Sequence, residues 1–218
     1  MARPFFVTGT GTDIGKTHIL CAMLEAHRKV GGKARVLKPI ISGFDMATIQ
    51  DTDTLRLLVA NGDPLTSEQV KATSPWRFRD PLSPDMAARA EARRLSLTSV
   101  SSWCLDQIKP TGLTVIEGAG GIMSPIAEDG LNLDLIRELD ARPILVAGTY
   151  LGTISHTLTA LRVLDGPATV ILNPHKPGNI PVRETVRSLQ RFAPRADIRV
   201  FDARNPAGLL DIFDVQAV

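Results

Sequence analysis

Five residues separate Gly9 from the triplet Gly15-Lys16-Thr17, and that spacing constrains the chain more than any other feature. The stretch Phe5-Phe6-Val7-Thr8-Gly9-Thr10-Gly11-Thr12-Asp13-Ile14-Gly15-Lys16-Thr17 passes from a short apolar strand signal through a glycine- and threonine-rich turn into a helical pattern. This is the layout of a phosphate-binding loop. Glycines let the backbone curl until several N–H groups face one anion, and the dipole of the following helix adds to their pull. Lys16 is expected to reach the outer phosphates and the Thr17 hydroxyl to hold Mg²⁺. The interval is one residue longer than in the common form of the motif. A glycine turn before a surface lysine is the bland alternative, and the strand before and helix after argue against it.

The 218 residues suit one α/β domain, residues 1–218, with room for a sizeable core. A formal net charge of +2 and the absence of a dense Lys/Arg block point away from nucleic acid and from a membrane surface, while allowing a local phosphate site. Cys21 and Cys104 lack metal or redox spacing and fall in helical runs, as buried thiols of a cytoplasmic protein do. The first apolar run meets glycine too early for a signal peptide, and no stretch approaches the ~20 apolar residues of a membrane span. A cytoplasmic protein is expected.

Along the chain, strand signals alternate with helical ones. Helix is expected from Lys16 to the Gly31-Gly32 pair, strand at Arg35–Leu37, and then Lys38-Pro39-Ile40-Ile41-Ser42-Gly43, a lysine placed where parallel sheets put their ligands. Asp51 or Asp53 either caps the helical run Leu55–Val59 or serves the metal. Residues 64–84 read as one long connection, and long connections in compact domains are often functional. Helices follow around Met86–Ala92, with Arg93 and Arg94 at a solvated end, and around Leu97–Ile108. The strand Leu113–Ile116 ends in Glu117-Gly118-Ala119-Gly120-Gly121, a Walker B arrangement: carboxylate toward the metal, flexible backbone beside the phosphates. Asp134 and Glu138 read as surface charges, and His156 as a helix-start or core histidine. Strands at Pro143–Ala147, Ala168–Leu172 and Ile198–Phe201 and a helix at Val182–Phe192 complete the pattern, with Asn173-Pro174 at a strand tip. The tail from Asn205 carries no clear signal. The fold expected is a doubly wound, mainly parallel sheet with helices on both faces and one nucleotide site along its C-terminal edge.

The ordered set formed by the loop from Val7 to Thr17, Lys38-Pro39-x-x-Ser42-Gly43, Pro81-x-Ser83-Pro84, Glu117-Gly118-Ala119-Gly120-Gly121 and Leu151-Gly152-x-Ile154-x-His156 resembles dethiobiotin synthetase, a family whose phosphate loop carries the same extra residue. The resemblance spans roughly Phe5 to Asn173. It implies an ATP- and Mg²⁺-dependent cyclo-ligase that closes the ureido ring of dethiobiotin from 7,8-diaminopelargonate and CO₂ through a phosphorylated carbamate. It further implies that Lys16 and Lys38 neutralise the γ-phosphate and the carbamate. Thr17, Asp53 and Glu117 would hold Mg²⁺. Nucleotide would lie along Gly11 to His18 and the turn Gly118, Ala119 and Gly120, with Asn173 and Pro174 at the base. Thr12, Ser42 and Gly120 would contact the diamine or its carbamate. Leu151, Gly152 and Ser155 would take its carboxylate tail across a homodimer interface.

The chain departs from the family at Asp13 (often Glu), Leu82 (a small polar residue) and Ser155 (usually Asn). The late Ile-Pro-Trp-like segment has only Arg199-Val200-Phe201 in its place. Two other classes share the loop. A small-molecule kinase is not expected to pair the Lys38 motif with the Glu117 motif. A switch ATPase of the deviant loop group has a signature lysine where this chain has Gly11. The amidotransferases of cobyrinate synthesis need a further glutaminase domain.

Overall fold

Strands buried on both faces must be apolar at consecutive positions, and the central runs of this chain are. The computed structural model describes residues 3–45, 49–174 and 180–213. In chain order the elements are β1 (Phe5–Gly9), α1 (Lys16–Lys29), β2 (Ala34–Leu37), β3 (Ile40–Ile41), α2 (Asp53–Asn61), α3 (Ser67–Thr73), β4 (Trp76–Arg77), α4 (Pro84–Ala90) and α5 (Leu97–Gln107). They continue with β5 (Leu113–Glu117), β6 (Pro125–Ala127), β7 (Gly130–Leu131), α6 (Asn132–Glu138), β8 (Arg142–Gly148), α7 (Thr153–Leu164), β9 (Thr169–Asn173), α8 (Val182–Phe192) and β10 (Asp197–Val200).

Six strands form one sheet in the order β10-β9-β8-β1-β5-β2, every neighbouring pair parallel. Alternate residues feed two cores. Phe6, Ile116, Leu145 and Leu172 face a layer built by α4 to α8. Phe5, Val7, Val115 and Val146 face α1, α2 and a 3-10 segment at Pro206–Ile212. Because all six strands run the same way, the C-terminal ends of β1, β2, β5, β8 and β9 share one edge with the loops that follow them. The expected doubly wound α/β fold is the observed one.

Several local expectations need correction. Residues 64–84 are not a bare connection: Thr66 caps α3, and β4 pairs with β3. Main-chain bonds from Lys38 N to Thr73 O (3.0 Å), Phe44 N to Phe78 O (2.8 Å) and Gly43 N to Asp80 O (3.1 Å) lace this ribbon onto the segment after β2, which carries Pro81–Pro84 to the sheet edge. Helix α2 is capped by the Thr52 hydroxyl, not by an aspartate. Arg93 is more than a solvated end: its guanidinium stacks over Phe78 at 4.6 Å and donates to the Arg77 carbonyl. Asp134 accepts from Leu131 N at 2.9 Å and so tethers the start of α6. Cys104 is buried, but Cys21 is only half-buried. Part of the unassigned tail packs on α1 through Leu209 and Ile212, and Phe213 meets Phe5 edge to face at 5.4 Å. Residues 214–218 lie outside the described residues.

Candidate functional site

Side chains from four elements meet under the loop that follows β1. Glu117 closes β5 and is fully buried; its Oε1 accepts from the Thr17 hydroxyl at 2.8 Å and from the Lys38 ammonium at 2.6 Å. Lys38 follows β2, donates to the Gly118 carbonyl at 3.3 Å, and lies 3.3 Å from Asp53 Oδ2 at the start of α2. Only 3% of Lys38 is exposed. Burial works to lower its pKa, but the charges and hydrogen bonds of Glu117 and Asp53 outweigh it and hold the ammonium above the ordinary lysine value. For Asp53, burial works to raise the pKa, yet Lys38 and the Thr17 hydroxyl bring it below the usual carboxylate value. Lys16 behaves oppositely to Lys38: burial, then repulsion from Lys38, pushes its pKa down. Its Nζ folds back toward the Gly11 carbonyl at 3.4 Å.

The loop itself is curled by left-handed backbone at Asp13 (φ 55°) and Gly15 (φ 92°). A Cβ on Gly15 would sit 2.1 Å from Asn173 Nδ2, which donates to the Ile14 carbonyl at 2.9 Å. Glycine at position 15 is therefore required twice, by conformation and by contact. Main-chain bonds Gly118 N to Val7 O (3.0 Å) and Ile122 N to Gly9 O (2.9 Å) fasten the Glu117–Gly121 turn to β1 and its loop. Between these segments opens a cleft of about 650 Å³, walled by the phosphate loop, Lys38, Ser42, Asp53, the Pro81–Pro84 turn, and Ala119 and Gly120.

The donor set fits Mg²⁺. Glu117 Oε2 is buried without a hydrogen-bond partner, and the neighbouring Thr17 hydroxyl and Asp53 carboxylate are hard oxygen ligands. No group of three or more His, Cys, Asp or Glu suited to a metal occurs among the described residues. Mg²⁺ accepts that arrangement, since it favours one or two carboxylates completed by water and phosphate oxygens.

A family model described as an AAA domain matches residues 3–201. The ATP-dependent dethiobiotin synthetase BioD of Caulobacter vibrioides (strain NA1000 / CB15N) is 47% identical over 164 residues, 74% of this chain and 74% of the relative. The enzyme of the same name from Acidiphilium cryptum (strain JF-5) is 42% identical over 193 residues, 86% of each chain. That of Methylobacterium nodulans (strain LMG 21967 / CNCM I-2342 / ORS 2060) is 40% identical over 204 residues, covering 89% of this chain and 90% of its own. The chain belongs to the dethiobiotin synthetase family.

In this dethiobiotin synthetase family member, Thr12, Asp13, Gly15, Lys16, Thr17 and His18 line the cleft with Lys38, Ser42, Asp53, Ala119 and Gly120, and Glu117 lies at their base. Of the two aspartates, Asp53 reaches Lys38, whereas Asp51 is exposed in a one-turn 3-10 helix away from the cleft. Ile14 is buried behind the loop; Gly11 and Gly118 contribute main-chain oxygens to the two lysines. Asn173 is buried behind the loop and Pro174 is exposed beside it, and neither lines the cleft. Leu151 is 89% exposed, and Gly152 and Ser155 are exposed at the start of α7; none of the three lines the cleft either. His156 joins the Tyr150 hydroxyl at 2.9 Å. His18 meets the buried Phe201 edge to face at 5.4 Å, so the divergent Arg199–Phe201 segment does reach the loop helix.

Three residues escaped the sequence reading. Arg56 lines the cleft one helical turn after Asp53, a relation that helical spacing could have exposed. Ser124 accepts from Gly121 N at 2.8 Å. Asn132 holds the glycine turn from behind, and nothing in its local sequence signals it.

Proposed function

We propose that this chain forms the ureido ring of dethiobiotin from 7,8-diaminopelargonate and CO₂ at the expense of ATP, with Mg²⁺, as a homodimer. One amine adds to CO₂ and loses a proton, giving a carbamate. A carbamate oxygen takes the γ-phosphoryl group and ADP leaves. The second amine then attacks the carbamoyl carbon, the bond to the phosphate oxygen breaks, and the ring closes. The chemistry needs no protein nucleophile; it needs position and charge. The observation that carries this reading is the Lys38 ammonium, fixed between Glu117 and Asp53 in a cleft shared with the phosphate loop.

Lys38 stays protonated and places a fixed positive charge beside the carbamate and the transferring phosphoryl group. Lys16 and the free N–H groups at the start of α1 hold the outer phosphates. Thr17, Asp53 and Glu117 would hold Mg²⁺, which when bound supplies charge neutralisation at the phosphate oxygens. Thr12, Ser42 and Gly120 orient the diamine, and Asn173 and Pro174 flank the base. Leu151, Gly152 and Ser155 face outward and serve the carboxylate tail of substrate in the second copy.

Phosphate release from ATP and Mg²⁺ by purified protein tests the proposal. Release that requires both the diamine and bicarbonate, with dethiobiotin identified by mass, is the expected result. Phosphate release independent of the diamine would overturn it in favour of a switch ATPase, and transfer of phosphate to substrate without bicarbonate would favour a kinase.

A further inference from the structure

Asn132, the first residue of α6, is 1% exposed, and its Nδ2 donates to two carbonyls of the glycine turn: Ala119 O at 2.7 Å and Gly121 O at 2.7 Å. Both amide hydrogens are thereby committed to one turn. Its Oδ1 is buried without a partner, and a Cβ on Gly118 would lie 2.6 Å from that oxygen. The amide end is thus anchored by the turn alone, and Gly118 leaves it room.

The direction of those bonds matters. In a trans peptide the C=O and N–H point opposite ways. With the Ala119 carbonyl drawn inward to Asn132, the Gly120 N–H points away from it. Gly120 lines the cleft, and its N–H has no hydrogen-bond partner among the described residues. The Gly121 carbonyl is fixed in the same way, and the Ile122 N–H on the far side of that peptide bonds Gly9 O at 2.9 Å. One side chain therefore holds two alternate peptides of the turn, the second shared with Ser124 N, which also donates to Gly121 O at 3.0 Å. The first leaves a free donor at the cleft wall on the side away from Asn132, and the second latches the turn to the phosphate loop.

We infer that Asn132 is a positioning residue that holds the Gly120 N–H as a hydrogen-bond donor to an anionic oxygen of the reacting group, either the transferring phosphoryl or the carbamate. The inference rests on the ring-closing reading for its substrate, but not for the geometry of the donor. A donor preset toward developing charge accelerates the chemical step more than it strengthens ground-state binding.

Asn132→Asp keeps the shape but puts a carboxylate oxygen in place of Nδ2 against both carbonyls, which releases the turn. In the diamine- and bicarbonate-dependent assay, kcat should fall about 10- to 100-fold, less than or equal to the loss of a direct donor. The KM values for ATP and diamine should stay within about threefold. In ¹⁵N-glycine-labelled protein, the Gly120 amide should move downfield on adding ADP, Mg²⁺ and aluminium fluoride in the unmodified chain but not in the variant. A response to aluminium fluoride alone assigns the partner oxygen to the phosphoryl group; one that needs diamine and bicarbonate assigns it to the carbamate. Unchanged kcat in the variant, or a Gly120 amide that moves in neither case, would overturn the inference. Should Asn132→Asp not fold, the Gly120 amide of the unmodified chain decides. Absence of dethiobiotin product from the unmodified chain defeats the ring-closing reading instead, and is recorded separately.

Discussion

The knot of Lys38, Glu117 and Thr17 and the strip of Leu151, Gly152 and Ser155 both lie in family motifs, yet the chain treats them in opposite ways. The first is buried, with each polar group on its Oε1 side satisfied at 2.6 to 2.8 Å. The second stands outside the cleft, with Leu151 89% exposed. Within a single chain the knot lies at one cleft with the phosphate loop. Among the described residues the strip lines no part of that cleft, and the proposed function gives it to the substrate of a second copy on the strength of the family resemblance alone. Burial also changes what a side chain's removal means: in the knot it leaves an unpaired charge, and on the strip it leaves only solvent.

Lys38→Ala probes the knot hardest. Turnover should drop by about 10³-fold or more, as for other charges that act on a transferring phosphoryl group, with much less effect on nucleotide binding. Stability should also fall by about 3 kcal/mol, because Glu117 is left buried and unpaired. A denaturation shift with turnover intact would make Lys38 a counter-ion only and dissolve the contrast with the strip. Glu117→Gln should raise the Mg²⁺ requirement roughly tenfold by removing one anionic ligand. An unaltered Mg²⁺ titration would move the metal toward Asp53.

The strip should answer differently. Leu151→Asp is expected to alter the unfolding free energy by no more than about 0.5 kcal/mol. By repelling the carboxylate tail it should raise the diamine KM roughly tenfold, leaving the ATP KM unaltered. Equal diamine KM values for the variant and the unmodified chain would remove the strip from the site.

The smallest effect concerns Cys21, half-buried on the helix that carries Lys16 and Thr17. Burial, then the Glu117 charge, raises its pKa from 9.0 to about 12. An acid whose pKa rises on folding stabilises the fold fully below its unfolded pKa and loses that contribution as pH climbs through the folded value. Alkaline destabilisation between pH 9.0 and about 12 should therefore be shallower in Cys21→Ala. Alkylation of Cys21 at pH 9.0 should be slow until the chain is unfolded. Rapid alkylation of the native thiol would show that the loop helix is looser than the knot beneath it.

The alternation of apolar runs with helical spacing was enough to place the six sheet strands and the doubly wound class, because local hydrogen bonding and two-sided burial are written residue by residue. The phosphate loop was legible for the same reason: its glycines, lysine and threonine are contiguous. The ribbon α3–β4 was not. Its helix buries only Val70 and Thr73, and β4 exists through pairing with β3, so neither has a periodicity of its own. Asp51 and Asp53 could not be separated two residues apart, since the direction of α2 and the Thr52 cap decide which one faces Lys38. Asn132 belongs to no motif of the sequence, because its two partners lie in a turn 11 and 13 residues earlier.

What the sequence determined by itself was the set of groups and the edge of the sheet at which they would appear. Tertiary structure alone decided which of them touch. Thr17 lies 100 residues from Glu117 and Lys38 lies 79 from it, and the parallel register of β1, β5 and β2 removes both separations at once. Contacts so distant along the chain leave no local trace, because their energy depends on packing that no short window contains.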